Sequence, residues 1–215
     1  MRAVVFDVGE TLVDETRIWT DWADWLGIPR LTFLAALGAV IARGGDHRDV
    51  FPLVRPGIDV DAEWRRRIAA RRAVPLGPSD FYPDAGPCLE ALHEAGYRLG
   101  IVGNQPSTTD AVLQGLAVPL AIAASSETWG VAKPDPAFFG RVADELGLEP
   151  AEVAYVGDRV DNDVRPAAAA GMVAVFVRRG PWALIQAGRA NPPEAAISVE
   201  SLVELPGALA ARRDD

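Results

Sequence analysis

A few side chains in this sequence have the types and positions to do chemistry together. Asp7 ends the apolar run Ala3-Val4-Val5-Phe6 and opens the loop Val8-Gly9-Glu10-Thr11-Leu12. Lys133 stands in Gly130-Val131-Ala132-Lys133-Pro134-Asp135-Pro136, just ahead of a helix start. Asp158 ends a second apolar run, Tyr155-Val156-Gly157, and Asn162 and Asp163 follow it closely. Carboxylates gathered in one place repel, so they need a cation or a raised pKa. Mg²⁺ suits hard oxygen ligands and accepts a site completed by waters and a substrate phosphate. The chemistry in view is therefore a small anionic substrate held by a metal ion. It calls for a second acid two residues after Asp7, and that position, Gly9, is glycine. Taken singly each signal is weak, since a strand-end aspartate often only caps the next helix. In this order, each at a strand end, they are specific.

Lys133 is also singular in composition. The chain has 20 arginines and one lysine among its 21 basic residues. Avoidance of lysine is what a GC-rich genome encourages, and chance survival is the plain reading until its neighbours are considered.

The elements that must position these residues are legible as alternation. Near-continuous apolar runs at 3–8, 97–104, 120–125, 153–158 and 173–179 read as strands buried on both faces. Between them lie helical stretches. Residues 87–96 place Leu89, Leu92 and Ala95 on one side and end in Gly96. Residues 137–146 follow Asp135 at an N-cap and Pro136 at the first helical position. The pattern predicts an α/β fold, a parallel sheet with right-handed crossovers and helices on both faces. Ligands of such sheets bind beyond the carboxyl ends of the strands, where Asp7, Gly103, Asn104 and Asp158 fall.

Between the first two strands lies a helical insert, residues 14–79. Trp19, Trp22 and Trp25 recur at three-residue spacing and are expected to pack inside this unit rather than stack on a ligand. Residues 31–42 are apolar almost all round and read as its central helix. Residues 64–72 carry five arginines and read as a solvated face, with attraction of an anionic substrate as the alternative. The 44–49 stretch reads as a loop in which His47 and Arg48 are candidate substrate contacts. His93 is expected at the surface. The tail after Asn191 reads as a short strand or helix with a charged end. No internal repeat is found.

The bulk numbers bound the rest. With 215 residues, 49% of them apolar, the chain can bury a sizeable core. A net charge of −9 argues against a general nucleic-acid binder. The single cysteine, Cys88, excludes an internal disulfide and fits a reducing cytosol. No signal peptide is visible, and no apolar run approaches the roughly 20 residues of a membrane span. A cytoplasmic protein with a small-molecule partner is expected, binding neither nucleic acid nor membrane.

At the residues quoted above the chain resembles the haloacid dehalogenase-like (HAD) hydrolase superfamily, in its small-helical-cap (subfamily I) type. The resemblance covers nearly the whole chain. The family's first motif, DxDGT, stands here as Asp7-Val8-Gly9-Glu10-Thr11, and its second, a Ser or Thr at a strand end, as Gly103 followed by Asn104. Its lysine is matched by Lys133. Its GDxxxND motif is matched in full by Gly157, Asp158, Asn162 and Asp163. The first two motifs are thus altered and the last two intact. The resemblance implies a Rossmann-like doubly wound core, residues 1–13 and 80–215, with a helical cap at 14–79 that carries substrate identity. It implies Mg²⁺ held by the Asp7 side chain, the Gly9 carbonyl and Asp158, with Asp163 orienting these groups. It makes Asp7 a nucleophile that forms an aspartyl-phosphate. Lys133 stabilises Asp7 and the transferring charge, which accounts for where the only lysine stands. Gly103 and Asn104 would bind phosphate through a backbone N–H or the Asn104 amide. A positioned acid or base contributes roughly 10²–10⁴-fold, and Gly9 supplies none. Glu10, swinging in on the flexibility of its glycine neighbour, is one candidate replacement, and a cap residue is the other.

These departures predict a Mg²⁺-dependent phosphatase for a small phosphorylated metabolite, with slowed or narrowed chemistry. Acyl and aryl phosphates need the missing acid least. The alternatives are a non-catalytic protein that keeps the Mg²⁺ and phosphate pocket and, ranked lower, a 2-haloacid dehalogenase, whose fourth motif does not look like GDxxxND. A phosphonate hydrolase needs a cap lysine that residues 14–79 lack.

Overall fold

Valine, phenylalanine and alanine fill the central strand, and all four of its residues are fully buried. The computed structural model describes residues 1–73, 75–188 and 191–214. Among the described residues six strands, β1 (Ala3–Phe6), β2 (Arg98–Gly103), β3 (Ile122–Ser125), β4 (Val153–Gly157), β5 (Val173–Val177) and β6 (Ile197–Val199), form one sheet. Every pairing is parallel, in the order β3-β2-β1-β4-β5-β6. The chain first winds outward through β2 and β3, then returns to β4 on the other side of β1. The order therefore reverses between β1 and β4, which is where such sheets open a ligand crevice. Register brings the two acidic strand ends level. Phe6 pairs with Val156, and the Asp7 N–H donates to the Val156 carbonyl at 2.9 Å.

β1, β2, β4 and β5 stop one or two residues short of the apolar runs at their carboxyl ends, because Asp7, Val8, Asn104, Asp158, Arg178 and Arg179 belong to the loops of that edge. The helix Ala85–Glu94 buries Ala85, Cys88, Leu89 and Leu92, and the chain turns away at Gly96 with φ +85°. The helix Pro136–Leu146 begins as expected: Asp135 accepts the Ala137 N–H at 2.9 Å, and proline is its first residue. Its Phe138 and Phe139 meet the Tyr155 ring edge-on at 6.4 and 5.1 Å. Each such buried ring contributes about 2–3 kcal/mol through the area it removes from water. The tail holds both a strand, β6, and a helix, Leu205–Asp214. Of its charged end, Asp215 lies outside the described residues.

The chain divides into two compact units, Met1–Asp14 with Gly77–Asp215, and Glu15–Leu76. The second is helical. Its helices Thr16–Leu26 and Arg30–Ala42 are bent 116° from one another, and among the described residues no single helix is long and apolar enough to cross a membrane. Trp19 and Trp22 are buried against Phe33, Phe51 and Trp64, while Trp25 is half-buried and donates to Glu63 at 3.1 Å. Two readings of this unit change. The 44–49 stretch holds a 3₁₀ turn, His47–Asp49, closed by reciprocal capping between Asp46 and Asp49. His47 packs edge-on to Trp19, and Arg48 pairs with Asp61 at 2.6 Å. The arginine-rich helix Val60–Ala69 is not solvated throughout, because Arg67 is buried, paired with Asp21, and lies 4.0 Å over the Trp22 ring. A desolvated cation on an indole face contributes up to about 2 kcal/mol, which offsets part of the burial.

Candidate active site

At the carboxyl ends of β1 and β4 three aspartates and one lysine converge. Ligand atoms of Asp7, Asp158 and Asp163 lie within 4.8 Å of one another, and all three residues are buried. The Lys133 ammonium stands between two of them, 2.7 Å from Asp7 Oδ1 and 2.5 Å from Asp163 Oδ1. Asp163 reaches the site from the π-helical turn Val160–Val164 that follows Asp158. Its other oxygen accepts the Arg159 N–H at 3.0 Å, so both of its oxygens are engaged. Asp158 differs. It is 1% exposed, and its Oδ2 is buried with no hydrogen-bond partner among the described residues.

The charges do not balance without a cation. Burial alone would push the Lys133 ammonium down, but the Asp163 and Asp7 carboxylates outweigh it and hold the lysine charged well above its usual range. Burial pushes the Asp163 carboxyl up to about 6, against the pull of Lys133. Burial, then Asp163, Asp7 and Glu10, drive the Asp158 carboxyl well above the usual carboxylate range. Three carboxylates share one ammonium, and Asp158 keeps a buried acceptor oxygen that no described residue engages. That is the donor set of a hard divalent cation, and the residues present fit one.

The strand end of β2 is shaped around Asp7. A Cβ at Gly103 would overlap Asp7 Oδ1 and come within 3.2 Å of Val8 Cγ2. The Asp7 carboxylate thus occupies the space that a side chain at 103 would fill. Asn104 is committed elsewhere: its Nδ2 donates to the Lys133 carbonyl and its Oδ1 accepts the Lys133 N–H, each at 2.8 Å. The expected contact of this amide with a phosphoryl oxygen narrows to the backbone of Gly103 and Asn104, and the side chain clamps Lys133 instead.

The turn after Asp7 is strained. Glu10, not a glycine, takes the left-handed conformation, with φ +52°. For an ordinary residue this costs about 1–2 kcal/mol. The turn is closed by Glu10 N–H to Val13 carbonyl at 2.7 Å and by Leu12 and Val13 N–H to the Val8 carbonyl. Glu10 is 6% exposed, and the Tyr82 hydroxyl donates to its Oε2 at 2.7 Å. Burial first, then the Glu10 carboxylate, push the Tyr82 phenol above its usual range, so it remains a donor. A hydrogen bond to a charged acceptor contributes about 1.5–3 kcal/mol, the same size as the strain. Glu10 is therefore fixed rather than swinging, and its field reaches Asp158.

Sequence reasoning missed the residues behind this turn. Arg179 donates to the Thr11 carbonyl at 3.3 Å, lies 4.3 Å over the Tyr82 ring and is held by Asp84. Gly180 lets Glu10 lie against its backbone. Tyr82 and Gly180 are separated from Glu10 by 72 and 170 positions, and no local pattern links them.

A family model described as haloacid dehalogenase-like hydrolase matches residues 1–171. Over 157 residues the chain is 37% identical to a glyceraldehyde 3-phosphate phosphatase of Methanopyrus kandleri, covering 65% of this chain and 62% of that protein. Over 174 residues it is 35% identical to a phosphoserine phosphatase of Thermus thermophilus, covering 74% and 68% respectively. The match to the first of these therefore spans less than two thirds of that relative's length. Among solved structures, a HAD phosphatase from Thermococcus onnurineus superposes with a TM-score of 0.63 at 27% identity, covering 97% of this chain and 98% of that one.

Proposed function

The chain belongs to the haloacid dehalogenase-like hydrolase family, and from that premise we propose that it is a Mg²⁺-dependent phosphatase of small phosphorylated metabolites. The observation that carries this reading is the buried Lys133 bridging Asp7 and Asp163, with an Asp158 oxygen that has no partner among the described residues. Asp7, the Gly9 carbonyl and Asp158 would hold the ion, and Asp163 orients the set. When bound, Mg²⁺ supplies positive charge against the substrate phosphoryl group. Asp7 attacks phosphorus as the P–O bond to the leaving group breaks, the leaving group departs (protonated where it is a poor one), and water then hydrolyses the aspartyl-phosphate to inorganic phosphate and free Asp7. Lys133 pairs with Asp7 at 2.7 Å and faces the charge that builds on the transferring group. Backbone N–H groups at Gly103 and Asn104 take the place of the missing hydroxyl. The phosphatase names of the similar proteins support the reaction class.

The narrowed chemistry follows from Gly9. Glu10 is the carboxylate left for proton transfer, acting from the place where Tyr82 holds it, and its burial and the reach of its field to Asp158 support that role. The test is a substrate series read as kcat/KM, which reports the first chemical step. Acetyl phosphate and p-nitrophenyl phosphate should turn over with Mg²⁺, and a simple sugar phosphate should lag behind them. Glu10→Gln should cost the sugar phosphate about 10²-fold and the other two far less. Equal losses on all three would remove Glu10 from proton transfer. If Mg²⁺ binds and nothing turns over, the non-catalytic reading, motivated by Gly9 and Gly103, takes precedence. Halide release from a 2-haloacid without Mg²⁺ would establish the dehalogenase reading instead.

Restoring the family's hydroxyl should harm this protein. In Gly103→Ser the new Cβ must displace Asp7 Oδ1 from its place beside Lys133. We expect kcat/KM for acetyl phosphate to fall about 10–100-fold, the usual consequence of misplacing a reacting group by an ångström. A gain in activity would show that Asp7 has another productive position.

A further inference from the structure

The turn that follows Asp7 holds a residue it should not tolerate, and the surroundings compensate for that residue specifically. Glu10 is left-handed at φ +52° and buried. Its carboxylate accepts the Tyr82 hydroxyl at 2.7 Å. On its other side lies Gly180, itself at φ +70°, where a methyl group would come within 2.5 Å of Glu10 Oε2 and 2.8 Å of its Cγ. Tyr82 is backed by the Arg179 guanidinium, which also donates to the Thr11 carbonyl one residue beyond Glu10. Arg179 is in turn fixed by Asp84, which Ser201 Oγ and the Leu202 N–H also hold, at 2.8 and 3.0 Å. Two segments remote in sequence thus close on one strained turn, and a third holds Asp84 behind them.

We propose that Tyr82 and Gly180 form a latch that holds the Gly9–Glu10 turn in its left-handed form, making them positioning residues for the site built on Asp7. Backbone strain persists only where the surroundings over-determine it. Backbone bonds close the turn itself, and the contacts that Tyr82 and Gly180 add run through the Glu10 side chain, so the latch is needed only while position 10 carries a side chain. A glycine there would hold the same turn at no steric cost. The role assigned to the turn rests on the Mg²⁺ site proposed above; the latch itself rests on the contacts around Glu10.

A double-mutant cycle tests it, with thermal unfolding of the metal-free protein and Mg²⁺ affinity by titration calorimetry as readouts. Tyr82→Phe should lower the melting temperature by about 3 °C and weaken Mg²⁺ binding about 10-fold, as loss of an outer support to a metal site does. Glu10→Ala, which keeps the strain and loses the latch, should melt below Glu10→Gly, which loses both. In the Glu10→Gly background Tyr82→Phe should change neither melting nor Mg²⁺ affinity appreciably. Equal effects of Tyr82→Phe in both backgrounds, or Glu10→Ala melting at or above Glu10→Gly, would overturn the latch. If the wild-type protein binds no Mg²⁺, the metal reading fails, and the melting temperatures alone decide the latch.

Discussion

Asp7→Asn is expected to lower Mg²⁺-dependent kcat/KM for acetyl phosphate and p-nitrophenyl phosphate on the order of 10⁵-fold, the scale of loss when a covalent nucleophile is removed. The amide keeps the shape of the carboxylate and can still accept from Lys133, but it cannot attack phosphorus. The same substitution should leave the fold intact. Three carboxylates crowd one ammonium here, so removing one negative charge relieves repulsion, and the metal-free variant should melt no lower than wild type. Loss of activity with an unchanged or raised melting temperature separates lost chemistry from lost structure. A variant that keeps a tenth of the wild-type rate would remove Asp7 from the nucleophile's place.

Lys133→Met is expected to damage both activity and stability. The lysine is 4% exposed and makes short ion pairs to two aspartates. Deleting one partner of a buried ion pair costs about 3–5 kcal/mol, because the charges left behind are uncompensated. Turnover should fall about 10²–10³-fold, as when one preorganised charge is withdrawn from a transition state. The stability loss should depend on pH. Burial already holds Asp163 up to about 6 and Asp158 well above the usual range. Groups whose folded pKa is raised destabilise the fold as pH climbs from the unfolded value through the folded one. Without Lys133 they rise further, so the difference in melting temperature from wild type should be larger at pH 8 than at pH 5. Added Mg²⁺ should recover part of it by binding only the folded state. A pH-independent difference would mean that the lysine acts through packing rather than charge.

Much of this site was legible because it is written locally. Asp7, Asp158 and Asp163 stand at or just after strand ends, and the parallel order of the sheet brings those ends together. The N-cap at Asp135 and the proline after it fixed the helix start behind Lys133. What escaped is non-local or conformational. That Asp7 occupies the space above Gly103 depends on register across two strands, not on either motif. The commitment of Asn104 to the Lys133 backbone links residues 29 positions apart. Burial of Arg67 depends on Asp21 and Trp22 on another helix, so an arginine-rich run gave no sign of it. The strained turn had a local clue, since a glutamate stands where the related motif carries glycine, but only backbone angles reveal that Glu10 adopts the left-handed form. The capped turn at Asp46–Asp49 has a local sign, an acidic residue three positions before another.

The central claim is that Asp7 carries the phosphoryl group. Its most direct test is to mix the protein with acetyl phosphate and Mg²⁺, quench in acid within the first turnovers, and locate any phosphoryl adduct by peptide mass spectrometry. An adduct is expected on the peptide containing Asp7 that disappears on chelation of Mg²⁺, decays when substrate is exhausted and is absent from Asp7→Asn. Sustained phosphate release with no adduct on that peptide, and an Asp7→Asn variant that releases it equally fast, would contradict it.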